Sequence, residues 1–212
     1  MKILIIGSQG RLGKTLMEIL PGSTGIDIAD EDKLSEELKK AEIAFLAVPL
    51  KAAMDIINTY PDYRTFIELT SVKSPMIQFS NKVISLHPMF GPLSFKTNKD
   101  ILFISDISPK NTFELVSELF KKYNIISMTS FEHDKLMEEL LIKPYILSYI
   151  SDTVETTIET TSHKKLCELS AIKDSENPEI MFDTIKFNDG SLFIIENIEK
   201  KLQYLKKLIS DR

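Results

Sequence analysis

Ile3-Leu4-Ile5-Ile6-Gly7-Ser8-Gln9-Gly10-Arg11-Leu12-Gly13 is the stretch that decides the fold. Its first four residues are a β-branched and leucine run of the kind buried on both faces in a parallel sheet. Three glycines spaced three apart follow at once. From Arg11 the apolar positions Leu12, Leu16, Ile19 and Leu20 recur at helical intervals until Pro21-Gly22 stops them. Strand, glycine turn and helix in that order form a dinucleotide cradle. The first glycine makes the tight turn, the second lets a pyrophosphate approach the backbone, and the third lets helix pack on strand. Backbone N–H groups and the positive end of the helix dipole then face the phosphates. Gly7, Gln9, Gly10, Arg11, Leu12 and Gly13 are therefore the cofactor-binding candidates. Their spacing is G-x-x-G-x-x-G where the usual fingerprint is G-x-G-x-x-G, and a turn serving packing alone would use the same glycines.

Asp27 stands twenty residues after Gly7, in a short strand expected over 25–28. A carboxylate there accepts hydrogen bonds from ribose hydroxyls and repels a 2′-phosphate, which favours NAD over NADP. Asp30 is the rival for that role, and a solvated surface acid is the plain alternative for Asp27.

Outward from this segment the β-α rhythm continues. A charged amphipathic piece carries Leu34 and Leu38 on one face, and further strand runs are expected at 43–48, 65–69, 82–86, 101–105 and 124–127, with a helix over 111–123. Such alternation predicts an α/β fold with a Rossmann-type, doubly wound parallel sheet. From about residue 131 the apolar positions Leu136, Leu140, Leu141, Ile146, Leu147 and Ile150 recur at helical intervals, and 192–209 shows a stripe of Ile195, Ile198, Leu202, Leu205 and Ile209. The reading is a dinucleotide-binding domain over 1–128 and a small all-helical domain for substrate and dimerisation over 129–212.

Composition narrows the partners. Hydrophobic residues at 43% and charged residues at 27% are those of a soluble globular chain, not a disordered one. A net charge of −5, with no dense Lys/Arg run, argues against nucleic acid. The lone Cys167 can form neither an internal disulfide nor a thiolate metal site, so no metal is expected and a reducing cytoplasm fits. The opening apolar run is too short for a signal peptide, and no stretch approaches the roughly 20 apolar residues a membrane span needs.

Two segments fall near later strand ends, where open α/β sheets place ligands: Thr70-Ser71-Val72-Lys73, and His87-Pro88-Met89-Phe90-Gly91-Pro92, whose prolines and glycine set an irregular loop beside an imidazole. With Gly7 to Gly13, Val48-Pro49, Glu132-His133-Asp134, Met137 and a looser echo at Asn177-Pro178-Glu179-Ile180 and Asp183, they span nearly the whole chain. In this the sequence resembles the prephenate dehydrogenases, also called the TyrA family.

The resemblance implies NAD-dependent oxidative decarboxylation of prephenate to 4-hydroxyphenylpyruvate in tyrosine biosynthesis, with Val48 and Pro49 added to the cofactor contacts. It puts His87 on the ring hydroxyl as base, a role its ordinary pKa suits. Ser71 is a second catalytic candidate on the same hydroxyl, although Ser71 equally suits a helix N-cap before Pro75. A buried, backbone-satisfied histidine is the alternative for His87. Lys73 positions substrate or closes its loop. His133, opening a long helix with Glu132 and Asp134, reads as mainly structural, with substrate contact as its other role.

Two departures bear on the substrate. Where the family has a histidine twelve residues after His133, this chain has Tyr145, which can donate to a carboxylate without supplying charge. The family's carboxylate-clamping arginine is missing. The chain's arginines are Arg11, Arg64 and Arg212, and the nearest cation to the expected place is Lys173, with Lys164 and Lys165 before it. Arogenate is the alternative substrate, and a catalytically idle dinucleotide-binding protein the alternative class. A third reading is a β-hydroxyacid or imine reductase type working through Lys143 or Lys173. The length leaves no room for a fused chorismate mutase or regulatory domain, and the helical stripes suggest a homodimer.

Overall fold

In the computed structural model, which describes residues 1–27, 31–158 and 160–211, each strand run expected above overlaps an observed strand, with Ile28 of the second run outside the described residues. The strands are β1 (Ile3–Ile6), β2 (Thr24–Ile26), β3 (Ile43–Leu46), β4 (Phe66–Glu68), β5 (Val83–Pro88), β6 (Asp100–Ile104) and β7 (Asn124–Met128). Between them lie α1 (Arg11–Ile19), α2 (Glu31–Lys40), α3 (Leu50–Thr59), a 3-10 helix over Ser74–Phe79, and α4 (Phe113–Leu119). Two compact units result, Met1–His133 and Asp134–Arg212.

The first unit is one seven-stranded sheet in the order β2-β1-β3-β4-β5-β6-β7. β1, β3 and β4 are buried almost throughout, which is why they read as continuous apolar runs and not as alternation. Ile5, Phe45, Ile67, Ile84, Leu86 and Phe103 pack with Leu16, Val116 and Phe120 in one cluster. Each such buried side chain contributes roughly 1.5–3 kcal/mol.

The sheet is not wholly parallel, contrary to the expectation. β5 runs parallel to β4 through Val83, Ile84 and Ser85, then pairs antiparallel with β6 through Leu86, His87 and Pro88. The cause is the connection. Residues 89–99 form a succession of turns, and a parallel return needs a crossover of a dozen or more residues, usually a helix. Pro88 is tolerated because the β4 ladder ends at Ser85, three residues earlier.

Parallel register sets the site. Ile26, Ile6, Leu46, Glu68 and Ser85 are successive partners across β2, β1, β3, β4 and β5. Asp27, Gly7, Val48, Ser71 and His87 therefore all lie one to three residues beyond a single row, at the carboxyl ends of their strands. The chain reverses its winding between β1 and β3, and ligands of open α/β sheets bind at such switch points.

In chain order the remaining elements are α5 (Ser130–Met137), a π-helical turn over Glu138–Ile142, α6 (Lys143–Ile150), α7 (Thr161–Ser175), α8 (Pro178–Phe187) and α9 (Ser191–Ser210). Pro144, at the start of α6, has no N–H for the ladder, and the helix widens into the π turn just before it. The second unit's core gathers Ile142, Ile146 and Ile194, with Ile195 and Ile198 packed against them. Farther along the α9 stripe Leu202, Leu205 and Ile209 are exposed. Among the described residues no helix is long and apolar enough to cross a membrane.

Candidate functional site

Gly7 has φ +85°, and a Cβ there would lie 2.3 Å from the Ala47 carbonyl oxygen and 2.8 Å from Val48 Cγ1. A Cβ on Gly13 would meet the Gly7 carbonyl oxygen at 2.0 Å. The first glycine thus makes the left-handed turn against β3, and the third brings α1 onto the end of β1. Gly7 and Ser8 donate backbone N–H bonds to the Ile26 carbonyl, tying the turn to β2. Gly10 occupies the α1 N-cap with no side-chain oxygen on the helix, and the first turn holds no acid. A helix start so left is suited to an anion. Gln9 and Arg11 are exposed around it, Leu12 is half-buried, and Pro49 is the N-cap of α3. The Gln9 backbone N–H donates to Asp27 Oδ2 at 3.1 Å, which brings the carboxylate onto the glycine turn. Asp30, the rival, lies outside the described residues. These residues fit a dinucleotide: a cradle that side chains would fill, an uncapped helix start, and an acid beside them.

The second cluster sits at the ends of β4 and β5. His87 is 7% exposed, and its Nδ1 lies 2.8 Å from Nε2 of His133, which is fully buried in the first turn of α5. Burial, then the neighbouring His133 and the Lys73 ammonium, hold the His87 imidazole well below its ordinary pKa of 6.5, so the ring is neutral. His133, expected to be mainly structural, has its ring on His87. Its backbone is set by a capping box: Thr129 N–H donates to Glu132 Oε2 at 2.8 Å, and Glu132 N–H donates to Thr129 Oγ1 at 3.2 Å.

Below His87 lies a polar network that sequence reasoning missed. Glu68 and Lys73 are both fully buried, and Lys73 Nζ donates to Glu68 Oε1 and to the Leu86 carbonyl, each at 2.8 Å. Glu68 also accepts from the Ser85 hydroxyl, from Thr70 N–H at 2.9 Å and from the Thr70 hydroxyl at 2.6 Å. Lys73 Nζ thus bridges the Glu68 carboxylate and the Leu86 carbonyl at the ends of β4 and β5. Ser71 is half-buried, and the N-cap of the 3-10 helix is Lys73, with no side-chain cap. Glu68 left one trace in the sequence, an acid closing an apolar strand run with a lysine five residues on, but burial on both faces is visible only after folding.

In the second unit Tyr145 is buried, with its hydroxyl 3.4 Å from Glu176 Oε2. Lys173 Nζ donates to the Ser151 carbonyl at 2.9 Å and to Asp152 Oδ1 at 3.1 Å, at the end of α6. Both groups expected to bind substrate carboxylates are thus engaged with other partners. Asn177 is the N-cap of α8, its Oδ1 accepting from Glu179 N–H at 2.8 Å. Among the described residues no group of three or more His, Cys, Asp or Glu converges as for a metal. A solvent-open hollow of about 580 Å³ lined by Lys2, Lys40, Glu42, Tyr63 and Arg64 lies at the amino ends of the strands, away from these clusters.

A neutral buried histidine makes stability depend on acid. Unfolded, His87 takes a proton near pH 6.5; folded, it does so only far lower. Between those values the unfolded chain holds more protons, so stability falls as pH drops below 6.5, by up to about 1.4 kcal/mol per pH unit. Urea unfolding at about pH 7 and about pH 5.5 is expected to show a larger acid loss for the native chain than for His87→Gln. Equal losses would contradict a buried, neutral His87.

No protein-family profile matches the chain. The T-protein of Enterobacter agglomerans is 25% identical over 150 residues, covering 64% of this chain and 40% of the relative, so the chain spans well under half of that protein's length. Prephenate dehydrogenase of Aquifex aeolicus, solved with hydroxyphenyl propionate and NAD+, superposes with TM-score 0.74 at 17% identity, covering 99% of this chain and 91% of that one. Arogenate dehydrogenase of Synechocystis superposes with TM-score 0.66 at 16% identity, covering 100% and 92%. Over nearly its full length, then, this chain has the fold of the prephenate and arogenate dehydrogenases.

Proposed function

We propose that this chain is an NAD-dependent prephenate dehydrogenase, a cytoplasmic enzyme that converts prephenate to 4-hydroxyphenylpyruvate. The observation that carries the reading is the neutral, buried His87 on the same sheet edge as the glycine turn of Gly7 and Gly13. The glycine turn of Gly7 to Gly13 would hold NAD, which would supply a hydride acceptor for the ring carbon that bears the hydroxyl. His87 takes the hydroxyl proton, Ser71 orients that hydroxyl, and the electron pair of the breaking carbon–carboxylate bond completes the aromatic ring as carbon dioxide leaves. The backbone of the turn and the start of α1 would hold the pyrophosphate and Asp27 the ribose, with Val48 and Pro49 as further cofactor contacts. One structural relative, a prephenate dehydrogenase solved with NAD+, supports this substrate and cofactor, and another, an arogenate dehydrogenase, supports the alternative substrate.

Steady-state NADH production with prephenate and with arogenate, each with NAD and NADP, tests this. Turnover of arogenate alone would reassign the substrate. Calorimetric binding of NAD without turnover of either would favour the idle dinucleotide-binding reading, which the engaged Tyr145 and Lys173 motivate. Asp27→Ala is expected to weaken NAD binding by about tenfold, the effect of one or two hydrogen bonds, and to narrow the preference over NADP. Unchanged constants for both coenzymes would move the ribose contact elsewhere.

We also propose a homodimer through the helical region. Leu202, Leu205, Leu208 and Ile209 of α9 are exposed on one side of the helix, an apolar patch that a second copy would cover. Sedimentation at micromolar concentration is expected to show the dimer mass, and a monomer would reject it.

A further inference from the structure

We infer that His133 is a positioning residue that selects the tautomer of His87, accepting its Nδ1 proton and so leaving His87 Nε2 as the basic nitrogen. The inference rests on the proposed reading, in which His87 removes a hydroxyl proton. It concerns a residue whose sequence signature placed it at a helix start or against substrate.

The argument begins with the 2.8 Å separation of His87 Nδ1 and His133 Nε2. At that distance one nitrogen must carry hydrogen and the other a lone pair, since two lone pairs or two N–H groups would repel. With both rings uncharged, the pair has two arrangements. In one, His87 donates from Nδ1, and its Nε2 is a lone pair able to take a proton. In the other, His133 donates, His87 carries its hydrogen on Nε2, and the ring can only offer a hydrogen bond. Removal of a proton from a hydroxyl requires the first.

The contact is not incidental packing. The rings are tilted by 59° with centroids 5.0 Å apart, so they meet edge to edge through nitrogen and not as a stack. His133 is fully buried and His87 nearly so, which leaves little room for water to replace either partner. Both rings stand on fixed backbone. His87 follows Leu86, whose carbonyl accepts from Lys73 at 2.8 Å. The helix of His133 is held by the Thr129–Glu132 capping box and by Ser130, whose N–H donates to Asp106 Oδ1 at 2.8 Å. When His87 gains the proton, its Nδ1–H becomes a charge-assisted donor to His133, so the bond strengthens as charge develops.

Nitrogen-15 NMR of the native chain labelled at histidine, with and without NAD, reads the tautomer directly. The expected result is hydrogen on His87 Nδ1 and a bare Nε2; hydrogen on Nε2 with a bare Nδ1 would overturn the inference. In His133→Leu the acceptor is gone. The tautomer is expected to shift toward Nε2–H, and kcat on prephenate to fall on the order of a hundredfold with KM and NAD affinity near native, as when a histidine loses the partner that orients it. In His133→Gln the amide oxygen can accept the same hydrogen, and the native tautomer and most of the turnover are expected to return. Native kcat in folded His133→Leu, or no recovery in a folded His133→Gln that binds NAD, would reject the role. Should the native chain turn over neither prephenate nor arogenate, the proposed function fails, while the NMR result still decides the tautomer.

Discussion

The His87→Ala variant is expected to turn prephenate over about a hundredfold or more slowly than the native chain, the usual size of a lost general base. The residue is mounted for that task. Two residues past the end of its ladder with β4, it projects from a strand whose backbone is locked on both sides, by β4 earlier and by β6 at His87 itself. Burial keeps the ring uncharged, so its lone pair is available at neutral pH. The glycine turn lies at the ends of β1 and β3 and hydrogen-bonds to β2 through the Ile26 carbonyl, so calorimetry with NAD is expected to give near-native affinity for the variant. Loss confined to kcat, with coenzyme binding intact, is the signature of a group acting on the reacting hydroxyl. Equal turnover in native and variant proteins would remove His87 from the mechanism.

Lys73→Met is expected to cost about 3–5 kcal/mol of stability, out of the 5–15 kcal/mol that holds a typical domain together. Removing the ammonium leaves Glu68, a fully buried carboxylate, with the Ser85 and Thr70 donors to offset its charge. It also leaves the Leu86 carbonyl without its Lys73 partner next to His87. Urea unfolding measures the loss. The double variant Glu68→Gln/Lys73→Met is expected to recover most of it, because exchanging a whole buried ion pair for neutral groups is often close to neutral where breaking one is not. Native-like stability of the single variant would show that the pair does not carry the junction of β4 and β5. Little recovery in the double variant would assign the loss to packing of the lysine stem.

Much of this was legible in the chain itself. Strands buried on both faces advertise themselves as apolar runs, so β1, β3 and β4 needed no tertiary information. The glycine turn was equally plain, since only glycine accepts φ +85° with a carbonyl 2.3 Å from where a Cβ would be. The antiparallel β6 was not, because a run such as Asp100–Ile104 looks the same whichever way its neighbour runs, and the turn-rich 89–99 segment decides the direction.

What the sequence by itself determined is therefore local: where the backbone extends, where it must turn through glycine, and which strand ends carry Asp27, Ser71 and His87. Only the tertiary structure decided partners. Lys73 became the counter-ion of Glu68, Lys173 was engaged at the end of α6, and His133, 46 residues from His87, became its hydrogen-bond partner. The physical reason is that propensity and periodicity act over a few residues, whereas the pairing of a buried charge or ring nitrogen is settled by which groups meet once water is excluded.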